Sequence, residues 1–309
     1  MSAARQSSQI RGSVMEAIGN TPVVQLQRLF QGHEVVAKLE YMNPGGSIKD
    51  RMVRYLLRHR PADVRHVVES SSGNTGAALA MASAVLGLDC DVTVPDHTSA
   101  EKVKRIEAYG ARVHPCAADV PESDSRNYQA VAERLAADEG AWHLDQYRSE
   151  LNRQAHYADT APELWDQLDG QLDYFVCGIG SGGTISGIGR FLKDRDPNVT
   201  VIGIEPRNSG YRPVITDVAN DGDFGTVIEG VGKRRPPPAF DAAVVDDVIQ
   251  VDDADALAYC HRLAREEGIL AGGSSGCVTA GIARLLPRLH GRVATVFPDS
   301  GAYYLSKYF

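Results

Sequence analysis

The chain has 309 residues, 43% of them hydrophobic and 23% charged, with a formal net charge of -8. That length suits two domains or one large α/β unit, and the absence of a basic tract that could follow a phosphate backbone argues against nucleic acid as a partner. Five cysteines (Cys90, Cys116, Cys177, Cys260, Cys277) are odd in number with no Cys-x-x-Cys pair, and the nine histidines form no metal-binding pairing, so neither a disulfide framework nor a metal is expected. No apolar run approaches the roughly 20 residues of a membrane span and the start lacks a hydrophobic signal core, which predicts a cytoplasmic protein that does not engage a membrane.

After a polar start, the turn GNTP (19–22) leads into a short strand over 23–26. Residues 33–41 (HEVVAKLEY) predict a buried strand. There follows NPGGSIKDR (43–51), in which Pro44, Gly45 and Gly46 break the strand and turn the backbone. Ile48, Met52, Tyr55 and Leu56 fall at helical spacing and predict a helix to about Arg58, with Ser47 and Asp50 in the Ser-x-x-acid arrangement of a helix start. Lys49 therefore lies in a first helical turn beyond a strand, where the helix dipole disfavours a cation. An amine whose neutral form is favoured attacks an aldehyde to give an imine; the alternative is a solvated lysine tolerated near a helix end.

The pattern then repeats. A strand at 66–69, the polar turn SSSGNTG (70–76) and a helix over 77–86 are followed by a strand at 90–94, a turn at 95–98 and a helix over 100–109. A strand at 112–116 and a helix over 128–137 continue the alternation, the rhythm pauses at 145–148, and a helix is predicted over 152–168. The second run comprises a strand at 174–177, a glycine-rich turn at 178–183, a helix over 184–193 and a strand at 199–205. Residues 207–240 are irregular and carry KRRPPP (233–238). Helices over 254–267 and 278–289 flank a turn at 271–276, and a strand at 292–297 precedes PDSG (298–301). Regular β-then-α order predicts an α/β fold of two doubly wound domains with parallel-rich sheets. Their boundaries are 37–149 for the smaller N-terminal domain and 11–36 plus 150–309 for the larger.

Turns beyond the carboxyl ends of parallel strands converge on one crevice. Four share a small, polar composition: 44–49, 71–76, 178–184 and 272–276. Gly180-Ser181-Gly182-Gly183-Thr184 opens a helix and offers backbone N–H groups and two hydroxyls to a phosphate. The same stretch, read as Gly178-x-Gly180-x-x-Gly183 with Glu205 ending the next strand, also fits a dinucleotide fingerprint, and a structural glycine turn is the third possibility. Ser71-Ser72-Gly73-Asn74-Thr75-Gly76 is a second helix start, suited to a small carboxylate or to simple capping. Gly272-Gly273-Ser274-Ser275-Gly276 offers hydroxyls on a flexible turn, or is a plain turn.

Taken in order, NPGGSIKDR, SSSGNTG, GIGSGGTISG, GGSSG and PDSG closely resemble the cysteine synthase and cystathionine β-synthase group, pyridoxal-phosphate enzymes of fold type II. The early GNTP turn extends the likeness over nearly the whole chain. The resemblance implies pyridoxal 5′-phosphate in a cleft between the domains, joined to Lys49 as an imine, with Lys49 also taking the α-proton. It implies that Asn74 meets the cofactor's ring hydroxyl, that Gly180, Ser181, Gly182, Gly183 and Thr184 hold the 5′-phosphate, and that Ser274 meets the pyridine nitrogen. Ser71, Ser72, Gly73 and Thr75 are implied for the substrate carboxylate, with Gln146 and Gly230 lining the site. The implied reaction is β-replacement on an O-activated L-serine through an aminoacrylate, with L-cysteine from sulfide as the default product. HEVVAKLEYMNPGGS also looks like the enzyme that joins O-phosphoserine to glutamate, so an amino-acid amine or a larger thiol is the alternative nucleophile. A ligand-binding partner subunit without turnover is the non-enzymatic alternative, which the presence of Lys49 and Asn74 does not support. Lys233, Arg234 and Arg235 depart from the small or apolar residues common at that point in the group; with Arg207 they are read as contacts for an anionic substrate, or as a solvated loop. A homodimer is implied by the resemblance alone.

Overall fold

The computed structural model describes residues 10–71, 73–117, 120–121 and 124–309. In chain order the elements are β1 (Val23–Gln25), β2 (Glu34–Leu39), α1 (Lys49–Arg58), β3 (His66–Ser70), α2 (Asn74–Leu86), β4 (Asp89–Pro95), α3 (Ala100–Glu107), β5 (Arg112–Cys116), α4 (Tyr128–Glu139) and β6 (Trp142–His143). They continue with α5 (Glu150–Ala155), α6 (Ala161–Gln167), β7 (Tyr174–Gly178), α7 (Gly183–Arg195), β8 (Thr200–Pro206), α8 (Tyr211–Thr216), β9 (Asp247–Val251), α9 (Asp253–Arg262), α10 (Gly273–Leu285), β10 (Arg292–Phe297) and α11 (Leu305–Tyr308).

The strands form two sheets, one of six in the order β1-β2-β10-β7-β8-β9 and one of four in the order β5-β4-β3-β6. Every pairing is parallel except β1 with β2. Parallel strands are covered on both faces, which is why β2, β4 and β10 are buried along nearly their whole length rather than alternately. Two apolar clusters flank the larger sheet, around Val176, Ile204 and Phe297 and around Phe175, Ile188 and Val201. A third, around Met52, Leu56, Leu79 and Val92, packs α1 and α2 on the smaller sheet. No described helix is long and apolar enough to cross a membrane.

The structure departs from the expectations in four places. The helix expected over 152–168 is divided by a π-helical turn, His156–Thr160, between α5 and α6; Pro162, at the start of α6, lacks the N–H that a continuous helix would use. The strands β6 and β9 were not predicted. Each is an edge strand of its sheet, and edge strands need less of the apolar signal that marks a buried one. The boundary at 36/37 falls inside β2, all of which pairs with β10 in the larger sheet. Finally, 272–276 is no flexible turn: α10 begins at Gly273, so Ser274, Ser275 and Gly276 are helical. A Cβ at Gly276 would lie 2.2 Å from the Ala256 carbonyl oxygen, so glycine here permits α10 to close against α9.

Candidate active site

A cleft of about 190 Å³ is walled by Lys49, Ser71, Gly73, Asn74, Thr75, Gln146, Tyr147, Gly180, Ser181, 229–233 and Tyr304. Its walls include turns that follow β3 of the smaller sheet and β7 of the larger. Three of the four polar turns read from sequence supply its walls, and the fourth, which opens α10, does not.

Lys49 is the first residue of α1. The turn before it is pinned on several sides. Ile48 donates its N–H to the Pro298 carbonyl (2.9 Å), and Asn43 accepts from the Gly19 N–H (2.9 Å). Ser47 Oγ accepts from the Lys49 N–H (3.2 Å), while the Asp50 carboxylate takes the Gly45 N–H (2.6 Å). The expected exchange between Ser47 and Asp50 is thus replaced by two separate bonds that fold the glycine turn over the helix start. Behind α1, Arg51 donates to both Glu40 oxygens (2.6 and 2.8 Å) and both Glu163 oxygens (2.8 and 2.8 Å), which fixes the helix to the larger sheet. Burial lowers the Lys49 ammonium below its ordinary pKa, against the pull of the Glu69 and Asp299 carboxylates, and Lys233 lowers it further. The result is an amine biased toward its neutral, nucleophilic form.

Asn74 opens α2. Its Nδ2 donates to Asp299 Oδ2 (2.6 Å), and its Oδ1 accepts from Arg105 (3.3 Å). Asp299 also accepts from Tyr304 Oη (2.6 Å), so the carboxylate fixes which way the amide faces. Thr75 donates to Gln146 Oε1 (2.9 Å), and Gln146 Nε2 donates to Glu69 Oε1 (3.5 Å). Ser71 and Gly73 line the cleft beside them; Ser72 lies outside the described residues.

On the opposite wall Gly180 lies so near Gly230 that a Cβ would come within 2.2 Å of its carbonyl oxygen. Gly182 caps α7 with φ +88°, and Gly183 and Thr184 begin that helix just behind the walls. Asn152 braces this turn: its Nδ2 donates to the Gln146 carbonyl (2.7 Å) and to Ser181 Oγ (3.1 Å), while its buried Oδ1 has no hydrogen-bond partner among the described residues. Thr184 Oγ1 is 3.2 Å from His156 Nε2. Burial drives that imidazole well below its usual pKa, with Lys49 and Arg51 adding to the effect. Ser274 is buried in the first turn of α10 and is not part of the walls.

The basic residues part company. Lys233 is in the cleft, its Nζ donating to Tyr147 Oη (3.0 Å) and lying 4.2 Å from the centre of that ring. Arg234 and Arg235 are exposed and outside the walls, because the Lys233 carbonyl is held by the Gly210 N–H (2.8 Å) and Ser209 Oγ (3.1 Å) and the chain then turns outward. Arg207 pairs with Asp221 (2.8 Å) in a separate pocket. The reading of all four as contacts for one anionic substrate is therefore corrected to Lys233 alone.

Sequence reasoning missed Glu69, Tyr147, Asn152 and Tyr304. Glu229, paired with Lys102 and with Lys307 (3.0 Å), ties the 229–233 segment to α3 and α11. Away from the cleft, His66, Asp91 and Glu139 bring ligand-type atoms within 4.8 Å of one another. Asp91 already carries the Arg112 guanidinium (2.6 Å), a positive charge that opposes a metal ion there.

A family model described as pyridoxal-phosphate dependent enzyme matches residues 14–299. The crystal structure of an O-ureido-L-serine synthase is similar over 97% of this chain and 95% of its own, with a TM-score of 0.88 and 32% sequence identity. With the cleft, its buried amine and its glycine-lined wall in view, these matches place the chain in the family of pyridoxal-phosphate dependent enzymes of fold type II, within its cysteine synthase-like branch.

Proposed function

We propose that the protein carries out β-replacement on an O-activated L-serine, O-acetyl- or O-phospho-L-serine, with Lys49 as the residue that carries the cofactor and moves the α-proton. The observation that carries this reading is that Lys49, with its ammonium disfavoured by burial, shares one cleft with the starts of α2 and of the α7 turn.

The residues present fit pyridoxal 5′-phosphate. A Cβ added at Gly73 or Gly230 would meet nothing within 4 Å, so both glycines leave free space inside the cleft. The start of α7, with Gly180, Ser181, Gly182, Gly183 and Thr184, offers main-chain donors and two hydroxyls to a phosphate without a cation. When bound, the cofactor supplies an electron sink for charge at the substrate's α-carbon. Of the two amines in the cleft, Lys233 is engaged by Tyr147, which leaves Lys49 for covalent attachment and proton transfer. Asn74, held by Asp299, would orient the ring hydroxyl, and Ser274 would face the pyridine nitrogen from α10. Ser71, Ser72, Gly73 and Thr75 at the start of α2 would receive the substrate carboxylate, with Gln146 fixing Thr75. Lys233 is the one member of the basic triplet offered to an anionic substrate group. A cytoplasmic homodimer completes the proposal.

Sulfide is the default nucleophile. The likeness to an O-ureido-L-serine synthase favours a second reading, in which a larger oxygen, nitrogen or sulfur nucleophile is used. The test is reconstitution with pyridoxal 5′-phosphate, borohydride reduction and peptide mapping, then incubation with both activated serines and a panel of nucleophiles read by mass spectrometry. A pyridoxyl mass on Lys49 and a β-substituted alanine are expected. Attachment at Lys233, or no β-substituted product from either serine, overturns the reading.

A further inference from the structure

The pocket that holds Arg207 is separate from the cleft and has a volume of about 350 Å³, in the range of small-ligand sites. It lies beyond the carboxyl ends of β8 and β9, beside α8. Arg207, Arg212 and Arg284 line it together with Asp221 and Asp252, and Asp255 stands beside Arg284. Arg207 is held by Asp221 (2.8 Å) and Asp252 (3.6 Å). Arg284 is held by the Gln250 carbonyl (2.7 Å), Asp252 and Asp255. Arg212 is half-buried, and among the described residues no hydrogen bond or ion pair engages its guanidinium; only its backbone is bound, the N–H by Glu205 (3.0 Å) and the carbonyl by Thr216 Oγ1 (3.0 Å). Arg212 is thus the guanidinium without a direct partner among the described residues, with two carboxylates lining the same pocket and an apolar lip formed by Val218 and Ala219.

Two hydrogen-bonded paths join this pocket to the cleft. Asn220 donates to the Asn208 and Ser209 carbonyls (2.9 Å each) and accepts from Gln250 (3.0 Å), while Ser209 Oγ bonds both the N–H and the carbonyl of Lys233 (3.0 and 3.1 Å). Next to Arg212, Tyr211 Oη donates to the Gly180 carbonyl (2.5 Å). Lys233 and Gly180 are both cleft walls.

We infer that this pocket is a second binding site, for a small α-amino acid whose carboxylate pairs with Arg212 and whose ammonium is received by Asp221 and Asp252, and that its occupancy is transmitted to Lys233. A guanidinium binds a carboxylate through two parallel hydrogen bonds. With Asp255 counted, the charges around the pocket are three of each sign, a balance that a zwitterion keeps and a bare anion does not. The inference does not depend on which reaction the cleft performs.

The test titrates L-alanine into holoenzyme whose cofactor has been fixed by borohydride, so that the cleft cannot capture the α-amine covalently. One equivalent of L-alanine is expected to bind per chain, at least tenfold more weakly in Arg212→Gln and in Asp221→Asn. Asp221 is exposed, so the second variant reports on the pocket without disturbing the core. Acetate and ethylamine, each carrying half of the ligand, are expected to bind at least tenfold more weakly than L-alanine. In the wild type, L-alanine should slow amide hydrogen exchange at Gly210 and Lys233 at least threefold, and in Arg212→Gln it should not. No binding to the reduced wild type, binding indifferent to both substitutions, or acetate binding as tightly as alanine overturns the site. Unchanged exchange at Lys233 overturns the transmission.

Discussion

Glu69→Gln probes the electrostatics beneath the cleft. Glu69 is fully buried at the end of β3, where Oε1 accepts from the Ser70 N–H (3.1 Å) and Gln146 Nε2 (3.5 Å) and Oε2 has no hydrogen-bond partner among the described residues. Burial, with Asp145 adding to it, pushes this carboxyl up from 4.5 to about 8. In the unfolded chain the same group ionises near its ordinary value. Because the folded value is the higher one, the group's contribution to stability is complete at low pH and disappears as pH rises toward 8. A span of about 3.5 pH units at roughly 1.4 kcal/mol each sets an upper limit near 5 kcal/mol, and water entry or local relaxation would reduce it to about 2–4 kcal/mol. Glutamine keeps the shape and does not titrate. Urea unfolding of cofactor-free wild type and Glu69→Gln at about pH 5 and about pH 8.5 should show the wild type losing that amount relative to the variant over the interval. Stability curves that run parallel across it would refute the claim that Glu69 is held neutral. The point bears on Lys49, since a charged Glu69 raises that amine's pKa and a neutral one leaves it free to react.

Two further predictions separate packing from charge. Gly183→Ala places a methyl 2.0 Å from Asn152 Oδ1 and should displace the side chain that holds Gln146 and Ser181, costing about 1–3 kcal/mol and most of the cofactor affinity. Gly230→Ala meets no atom within 4 Å and costs only the strain of φ +85°, about 1–2 kcal/mol, so it should keep the cofactor and raise KM; fluorescence titration of pyridoxal 5′-phosphate into both variants makes the comparison. At Glu163 burial is outweighed by Arg51 and Lys38, which hold the carboxyl down to about 2, so its contribution is present above 4.5 and lost as pH falls through 2. Glu163→Gln should therefore cost roughly 2–3 kcal/mol near neutral pH, and chemical unfolding that shows no loss there would contradict it.

What could be read from the sequence was local, and what could not depended on distant neighbours. The turn before Lys49 was legible because its conformation follows from Pro44, two glycines and a helical apolar pattern within ten positions, and the cleft confirms where Lys49 stands in its helix. Asn152 and Glu69 gave no such signal. One acts by bonding Gln146 and Ser181 from α5, the other by lying under a turn that it does not belong to. The basic residues show the same limit from the other side: the sequence reading groups the triplet at 233–235 with Arg207 as contacts for one anion. Two hydrogen bonds from Ser209 and Gly210 to the Lys233 carbonyl then decide that Lys233 faces inward and Arg234 outward. Glycine makes the distinction sharpest. At Gly230 the residue is there for its backbone, since φ is +85° and a Cβ would meet nothing within 4 Å. At Gly276 the backbone is ordinary helix, and the missing Cβ is what lets α10 meet α9. The two uses have the same letter in a sequence, so a run such as GGSSG reads as a flexible turn until the helix packed against it is known.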